Sequence, residues 1–209
     1  MSHTRGQFIT FEGGEGGGKS TNIRFAVEWL KAQGIDVVVT REPGGTPLGE
    51  SLRELLLGFR HQQMHSDTEL LLIFAARAEH IRQVIEPALQ AGQWVLCDRF
   101  TDASFAYQGG GRGIDSTRIA QLESWVQGEL QPNLTLLFDL PIDLGMERVG
   151  KRGDKDRFEV EKRAFFERVR ACYQQRAEDF SRYRILDASL PLSKVQANLQ
   201  QILTECVAS

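Results

Sequence analysis

The chain has 209 residues, of which 41% are hydrophobic and 25% are charged, as is typical of a globular domain. Its formal net charge of -3 excludes a general attraction to nucleic acid or to an anionic membrane, so we expect neither as a partner. Three widely spaced cysteines and four histidines without metal-site spacing argue against a disulfide framework and a zinc site. We expect one domain over residues 1–209 in the cytoplasm, because no apolar segment suits a signal peptide or a membrane span.

Five short apolar runs predict β-strands, with helical patterns between them. Several of the runs are almost continuously hydrophobic, which is typical of strands that are covered on both faces. Strands that alternate with helices predict an α/β fold in which a parallel sheet lies between two layers of helices. The strands are predicted at residues 7–11, 36–40, 93–97, 134–139 and 183–187.

The helical patterns carry start and stop signals. Apolar residues at helical spacing follow the first strand, and Gly34 is predicted to end that helix. Ser66 and Glu69 have the form of a capping box, which predicts a helix that begins at Ser66. Pro87 predicts a kink or the start of a new helix. Further helices are predicted at residues 116–129, 143–149, 160–180 and 193–207.

Two glycine-rich stretches, residues 43–45 and 109–113, interrupt this pattern. Each can be explained as a simple turn. Both follow shortly after a strand, however, and open α/β sheets bind their ligands beyond the carboxyl ends of the strands. The position of these stretches therefore favours a contribution to a binding site.

The strongest signal is a phosphate loop at residues 13–20, which fits G-x-x-x-x-G-K-[ST] and lies between a predicted strand and a predicted helix. Glycines allow the backbone to turn its N–H groups toward phosphate oxygens, and the helix N-terminus adds a partial positive charge. We expect Lys19 to reach the β- and γ-phosphates and Ser20 to ligate Mg²⁺. The predicted ATP site comprises Gly13, Gly14, Glu15, Gly16, Gly17, Gly18, Lys19, Ser20 and Thr21.

The motifs of two large classes of phosphate-loop proteins are missing. The chain has neither the Asn-Lys-x-Asp of GTPases nor the Ser-Gly-Gly-Gln of ABC-type ATPases. Asp98 and Arg99 instead follow the third strand, where an acid can hold Mg²⁺ and an arginine can bind an acceptor phosphate. Asp139, at the end of the fourth strand, is the alternative for Mg²⁺. We predict Asp98, because Arg99 beside it joins the metal and phosphate functions.

A basic, glycine-containing segment at about residues 148–158 lies between two helical patterns. Most charged runs of this kind are solvated loops. In a phosphate-loop protein the segment is better explained as a lid, whose arginine covers the transferred phosphoryl group and excludes water.

Five motifs appear in order: FEG at residues 11–13, TREPGGT at 40–46, FAAR at 74–77, DRF at 98–100 and AYQGGGR at 106–112. Together they resemble the bacterial thymidylate kinases over nearly the whole chain. The resemblance implies a five-stranded parallel sheet, a homodimer, and Mg²⁺-dependent transfer of the γ-phosphoryl group of ATP to dTMP. A kinase for another monophosphate and a non-catalytic nucleotide-binding module are the alternatives.

The resemblance also implies roles for acceptor residues. Glu15 matches the acidic residue that contacts the sugar 3′-hydroxyl, Phe74 the ring that stacks on thymine, and Arg77 the group that hydrogen-bonds the base. Phe74 and Arg77 are three residues apart, so a helix would place them on one face. Ser104 and Gln108, four residues apart, match the polar side chains that border the base.

Arg99 matches the ligand of the dTMP phosphate. Glu42 and Pro43 match part of the loop that closes over the nucleotide, and the peptide bond before Pro43 is a candidate for the cis form. Together with Glu15 and the base-contacting side chains, these residues form the predicted substrate site.

Gly16 occupies the position at which some thymidylate kinases carry an arginine that reaches the γ-phosphate. The resemblance is therefore to the subgroup whose catalytic arginine lies in the lid. Arg152 is the best match for that arginine, and Arg148 and Arg157 are weaker candidates. The predicted catalytic residues are Lys19, Arg99 and Arg152.

Overall fold

A five-stranded parallel sheet forms the centre of the molecule. The structure, a computed structural model, describes residues 5–58, 64–151 and 156–208. The strands in chain order are β1 (Phe8–Glu12), β2 (Val37–Arg41), β3 (Trp94–Asp98), β4 (Leu134–Asp139) and β5 (Tyr183–Asp187). They lie side by side in the order β2-β3-β1-β4-β5.

β1 lies between β3 and β4, so the chain order reverses at the middle of the sheet. The register pairs Phe11 with Asp98 on one side and with Leu136 on the other. The segment after β1 therefore emerges in the crevice where open α/β sheets bind their ligands. All residues of β1 are buried, which explains its continuous apolar sequence.

Helices cover both faces of the sheet and complete three layers, so the predicted α/β fold is confirmed. The helices are α1 (Lys19–Ala32), α2 (Pro47–Leu57), α3 (Ser66–His80), α4 (Glu86–Gln90), α5 (Thr101–Ser104), α6 (Ser116–Gln127), α7 (Ile142–Gly150), α8 (Arg163–Asp179) and α9 (Leu192–Ala208). Two π-helical segments, Ile81–Ile85 and Phe105–Gly111, follow α3 and α5 without a break. None of the described helices has the length and apolar character needed to cross a membrane.

The two faces have separate apolar contacts. On one face, α1 and α9 pack Leu30 and Leu199 against Ile9 of β1. On the other face, Val169 of α8 belongs to a cluster with Leu137 of β4. Successive strand residues point to opposite faces, which explains why neighbouring strand residues belong to different clusters.

Helix α2 has no counterpart among the predicted helices. Thr46 caps it by accepting a hydrogen bond from the Gly49 N–H at 2.9 Å, and Pro47 stands at its first turn. Residues 109–113 do not form a simple turn, the less favoured of the two explanations, because Gly109 to Gly111 continue a π-helical segment. Glycine is needed there because a Cβ at Gly110 would lie 2.9 Å from the Arg168 carbonyl of α8.

The predicted capping box of α3 is also wrong. His65 caps the helix, with its Nδ1 accepting from the Asp67 N–H at 3.3 Å, and Ser66 is the first helical residue. Glu69 is completely buried and bonds to side chains elsewhere in the chain. The sequence pattern matched a cap because it does not reveal which way a glutamate of the first turn points.

Candidate functional site

The phosphate loop joins β1 to α1. Gly13, Gly16 and Gly18 have φ angles of 128°, 76° and 76°, which glycine adopts without strain. The Lys19 Nζ donates to the carbonyls of Gly13 and Gly14 at 3.2 and 3.0 Å. Burial lowers the pKa of Lys19, and the neighbouring charge of Arg99 lowers it further. The loop therefore has the left-handed turns and the buried ammonium that phosphate binding requires.

Arg99 lies directly beside this loop. Its φ of 68° is a rare conformation for a side chain other than glycine, and such backbone strain concentrates at functional sites. Its Nη1 donates to the Gly13 carbonyl at 2.8 Å, and its Nη2 lies 2.5 Å from Glu15 Oε1. The Tyr107 hydroxyl donates to the same Glu15 oxygen at 2.8 Å, with the Arg99 guanidinium 4.7 Å from its ring centroid. Arg99 and Glu15 thus form one cluster at the start of the loop.

The two candidate magnesium ligands have different surroundings. Asp139 is held by Arg170 through two hydrogen bonds of 2.7 and 2.8 Å. Asp98 lines the central cavity, and its Oδ1 is buried without a hydrogen-bond partner among the described residues. A buried carboxylate oxygen without a partner is costly unless a ligand satisfies it. The environment of Asp98 therefore fits a metal or water ligand better than that of Asp139.

A cavity of about 480 Å³ extends from the phosphate loop to α3 and the π-helical segment Phe105–Gly111. Donor-side and acceptor-side candidates share this one space. Among the predicted site residues, its lining includes Glu15, Gly16, Gly17, Gly18, Lys19, Ser20, Thr21, Glu42, Pro43, Arg77, Asp98, Arg99, Ser104 and Gln108. Gly13 and Gly14 are not part of this lining, and their carbonyls accept from Lys19.

Arg77 is almost completely buried in the cavity wall, with 1% of its surface exposed. Its Nε donates to Glu42 Oε2 at 2.7 Å, and its Nη2 donates to Phe100 O at 3.2 Å and to Ser104 Oγ at 3.0 Å. Its Nη1 is buried and has no partner in the part of the chain that the structure describes. The Nη1 group of a rigidly held guanidinium, with its two N–H donors, is therefore left for a ligand in the cavity.

The other expected base-contacting residues divide into two groups. Ser104 and Gln108 are buried and line the cavity. Phe74 is also buried but does not belong to the cavity lining, and the Arg77 guanidinium lies 4.5 Å from its ring centroid. The peptide bond between Glu42 and Pro43 is cis, as the sequence allowed.

Glu69 does not line the cavity itself, but it holds Gln108, which does. Its Oε1 accepts from Gln108 Nε2 at 2.9 Å and from Arg112 Nε at 3.3 Å, and its Oε2 is paired with Arg157. Arg157 also donates from Nε to the Leu56 carbonyl at 2.8 Å. Arg157 is thus engaged in a buried ion pair that attaches the C-terminal part of the predicted lid segment to α2 and α3.

The other lid arginines differ in position. Arg148, in the last turn of α7, donates to the Gly16 carbonyl at 3.2 Å and to the Ala188 carbonyl at 2.9 Å. A Cβ at Gly16 would lie 2.5 Å from the Gly145 carbonyl, so α7 occupies the space that a larger residue at position 16 would need. Arg152 lies outside the described residues.

Among the cavity residues that were not predicted from the sequence, two make informative contacts. Arg53, on α2, lines the cavity and donates to the Pro43 carbonyl at 2.8 Å. Burial lowers the pKa of Arg53, and the nearby charge of Arg41 adds to the effect. The other is Tyr107, which holds Glu15. The Thr46-Pro47 start signal of α2 could have indicated a helix at Arg53, whereas nothing local marks Tyr107 as a partner of Glu15.

The buried carboxyl group of Glu12 is connected to Arg99 through Tyr173 and through the Phe100 backbone. Glu12 Oε1 accepts from the Phe100 N–H at 2.7 Å, and Oε2 accepts from the Tyr173 hydroxyl at 2.7 Å. Arg99 Nη1 lies 3.3 Å from the same hydroxyl. Burial raises the pKa of Glu12 from 4.5 to about 8, and the charge of Asp102 adds to the increase. Glu12 thus connects the end of β1 to the turn that carries Arg99.

The described residues contain no cluster of three or more histidine, cysteine, aspartate or glutamate side chains that could hold a metal ion. The Ser20 hydroxyl and the Asp98 carboxylate are hard oxygen donors, which Mg²⁺ prefers, and Mg²⁺ commonly takes only one or two protein ligands beside water and phosphate oxygens. This donor set therefore fits Mg²⁺ held together with a nucleotide.

Comparison with known proteins gives consistent results. The family model for thymidylate kinase matches residues 11–199. A thymidylate kinase from Pseudomonas savastanoi pv. phaseolicola is 59% identical over 201 residues, which cover 96% of each chain. One from Alcanivorax borkumensis is 55% identical over 204 residues, covering 97% of this chain and 98% of the relative.

The likeness extends to a solved structure. A crystal structure of thymidylate kinase from Ehrlichia chaffeensis matches this fold with a TM-score of 0.76 at 35% sequence identity. The match covers 95% of this chain and 99% of the other.

Proposed function

Because this chain belongs to the thymidylate kinase family, we propose that it transfers the γ-phosphoryl group of ATP directly to dTMP. A bond forms between a dTMP phosphate oxygen and the γ-phosphorus, while the bond from that phosphorus to the bridging oxygen of ADP breaks. The products are dTDP and ADP. The acceptor oxygen is already anionic, so the reaction needs neither a general base nor a covalent enzyme intermediate.

The observation that carries this proposal is the shared cavity. Lys19 and Ser20 line one end and Arg77 and Gln108 line the other, with Arg99 also in the wall. Two substrates bound at these ends would meet beside Arg99. Positioning of both reactants in one space, together with neutralisation of charge, supplies the catalysis when little covalent chemistry is required of the protein.

The proposed catalytic residues act by charge. Lys19 binds the β- and γ-phosphates, Arg99 binds the acceptor phosphate, and Arg152 of the lid neutralises charge on the phosphoryl group during transfer. Replacing Arg152 by alanine should lower kcat about 10³-fold, as expected for an arginine finger. A loss below about tenfold would reject this role and favour Arg148 as the catalytic arginine, because Arg148 contacts the phosphate loop.

Ser20 and Asp98 are the proposed Mg²⁺ residues. When bound, Mg²⁺ would neutralise phosphate charge beside Lys19. The partnerless Asp98 oxygen supports this assignment, and the pairing of Asp139 with Arg170 argues against the alternative.

The cavity residues at the end away from Lys19 would recognise the acceptor nucleotide. Arg77 has a free donor for an acceptor oxygen of the base, and Ser104 and Gln108 border the same space. Glu15 would contact the sugar hydroxyl beside Arg99. Stacking of thymine on Phe74 stays a prediction.

A matched pair of variants tests the metal assignment. Asp98→Asn and Asp139→Asn each remove one charge at constant size. We expect Asp98→Asn to raise the Mg²⁺ concentration for half-maximal phosphorylation of dTMP by about tenfold or more. Asp139→Asn should leave that concentration unchanged. The opposite pattern would transfer the metal role to Asp139.

We also propose a homodimer, which the family resemblance implies. The Arg118–Asp67 ion pair of 2.9 Å joins α6 to α3. On these two helices Trp125 and Leu71 are 81% and 56% exposed, which leaves apolar surface for a second copy. Sedimentation should find a dimer for the unaltered protein and a monomer for Trp125→Glu; a monomeric unaltered protein would contradict the proposal.

One kinase domain over residues 1–209, a lid at about 148–158 and a cytoplasmic location stay predictions.

A further inference from the structure

We propose that His80 is a positioning residue for acceptor recognition, which holds Glu42 so that the Nη1 group of Arg77 stays directed at the acceptor base. The inference rests on the proposed function of Arg77. His80 does not belong to the cavity lining, so its effect on the acceptor has to pass through Glu42.

His80 is the last residue of α3, and its side chain is completely buried. Its Nδ1 lies 3.0 Å from Glu42 Oε1, and its Nε2 lies 2.6 Å from Thr40 Oγ1. A Cβ at Gly45 would lie 2.5 Å from the imidazole ring, so the ring also packs closely on the loop after Pro43. The imidazole therefore joins α3 to the end of β2 and to the following loop.

One carboxylate is shared between two residues of α3. Glu42 Oε2 accepts from Arg77 Nε at 2.7 Å, while Oε1 faces His80. Burial opposes ionisation of Glu42, but Arg77 and His80 outweigh it and hold the pKa of Glu42 below its usual value. An ionised carboxylate only accepts hydrogen bonds, so the ring hydrogen must be on His80 Nδ1.

This arrangement determines where Arg77 points. The guanidinium is planar, so fixing its Nε at Glu42 and its Nη2 at Ser104 also fixes the direction of Nη1. Without His80, Glu42 Oε1 would be buried and would lack this partner, and the carboxylate would be free to rotate. Arg77 would then lose a fixed anchor, and acceptor binding would weaken while ATP binding would not change.

The experiment compares three His80 variants in steady-state kinetics with dTMP and ATP. His80→Asn keeps an N–H near the Nδ1 position and should keep the KM for dTMP close to that of the unaltered protein. His80→Gln keeps a polar group near Nε2 instead, and His80→Ala keeps neither. In both of these the KM for dTMP should rise about tenfold to a hundredfold, the range expected when a buried polar group loses its partner. The KM for ATP should stay unchanged in all three.

His65→Ala is the matched control, because it alters a histidine at the other end of the same helix, whose ring accepts a hydrogen bond from the Asp67 N–H. It should leave both KM values unchanged. If His80→Ala does not fold, the comparison of Asn with Gln remains decisive.

Three results would overturn the inference: equal effects on both substrates, no effect of His80→Gln, or a His80→Asn protein as impaired as His80→Gln. Failure of the unaltered protein to phosphorylate dTMP would instead refute the proposed function.

Discussion

Replacing Glu12 by glutamine should make the stability of the protein less dependent on pH. Burial raises the pKa of Glu12 from 4.5 to about 8, so the folded chain binds a proton there more tightly than the unfolded chain does. The contribution of Glu12 to the free energy of unfolding is therefore largest below pH 4.5. This contribution decreases as the pH rises to about 8 and is constant above that value.

The size of this change in the free energy of unfolding follows from the interval between the two pKa values of Glu12. Each pH unit between the two pKa values corresponds to about 1.4 kcal/mol, so the interval from 4.5 to about 8 corresponds to about 5 kcal/mol at most. Glutamine can accept from the Phe100 N–H and donate to the Tyr173 hydroxyl, so it retains both contacts without a charge. Asp102 and Arg99 also face this group and are unchanged in the variant.

The assay is urea unfolding of both proteins at a series of pH values from about 5 to about 9, with ΔG extrapolated to water at each. The stability of Glu12→Gln relative to the unaltered protein should increase steadily from about pH 5 to about pH 8, by up to about 4 kcal/mol over this measured range. Glu28→Gln, at an exposed position of α1, is the control and should follow the unaltered protein throughout. Parallel stability curves for Glu12→Gln and the unaltered protein would refute the reasoning.

Two further changes test other parts of the structure. Arg157→Met should lower the free energy of unfolding by about 3–5 kcal/mol, because it removes a partner of the buried Glu69, whereas loss of the exposed Arg163 in Arg163→Met should cost no more than about 1 kcal/mol. Urea unfolding measures both, and equal losses would show that Glu69 does not need Arg157. Gly16→Ala should raise the KM for ATP more than Gly14→Ala, because a Cβ meets the α7 backbone at Gly16 and nothing at Gly14. Equal KM values for the two variants would contradict the close approach of α7.

Features that depend on neighbouring residues could be predicted from the sequence. The strands, the phosphate loop and the first helix have local apolar and glycine patterns, and the structure places each predicted strand within a residue or so of its predicted bounds. Asp98 and Arg99 could be placed near Lys19 because parallel strands bring their carboxyl ends to one edge of the sheet.

Features that depend on long-range contacts could not be predicted. Glu69 matched a helix cap because its ion pair with Arg157, 88 residues away, leaves no local trace. The role of Arg53 depends on how α2 approaches Pro43, and the free donor of Arg77 is apparent only when its other hydrogen bonds are known. Each requires the tertiary contacts between elements rather than the pattern within one.

Acceptor selectivity is the most direct test of the proposed reaction. The purified protein should be incubated with Mg²⁺, ATP and, separately, dTMP, dUMP, CMP, AMP or GMP, and nucleoside diphosphate formation measured by chromatography. We expect stoichiometric dTDP and ADP from dTMP and ATP, and a lower kcat/KM with CMP, AMP and GMP, because the base site that we propose at the cavity-lining residues Arg77, Ser104 and Gln108 is a thymine site. No turnover of dTMP, or a higher kcat/KM with any of those three, would contradict the proposed function.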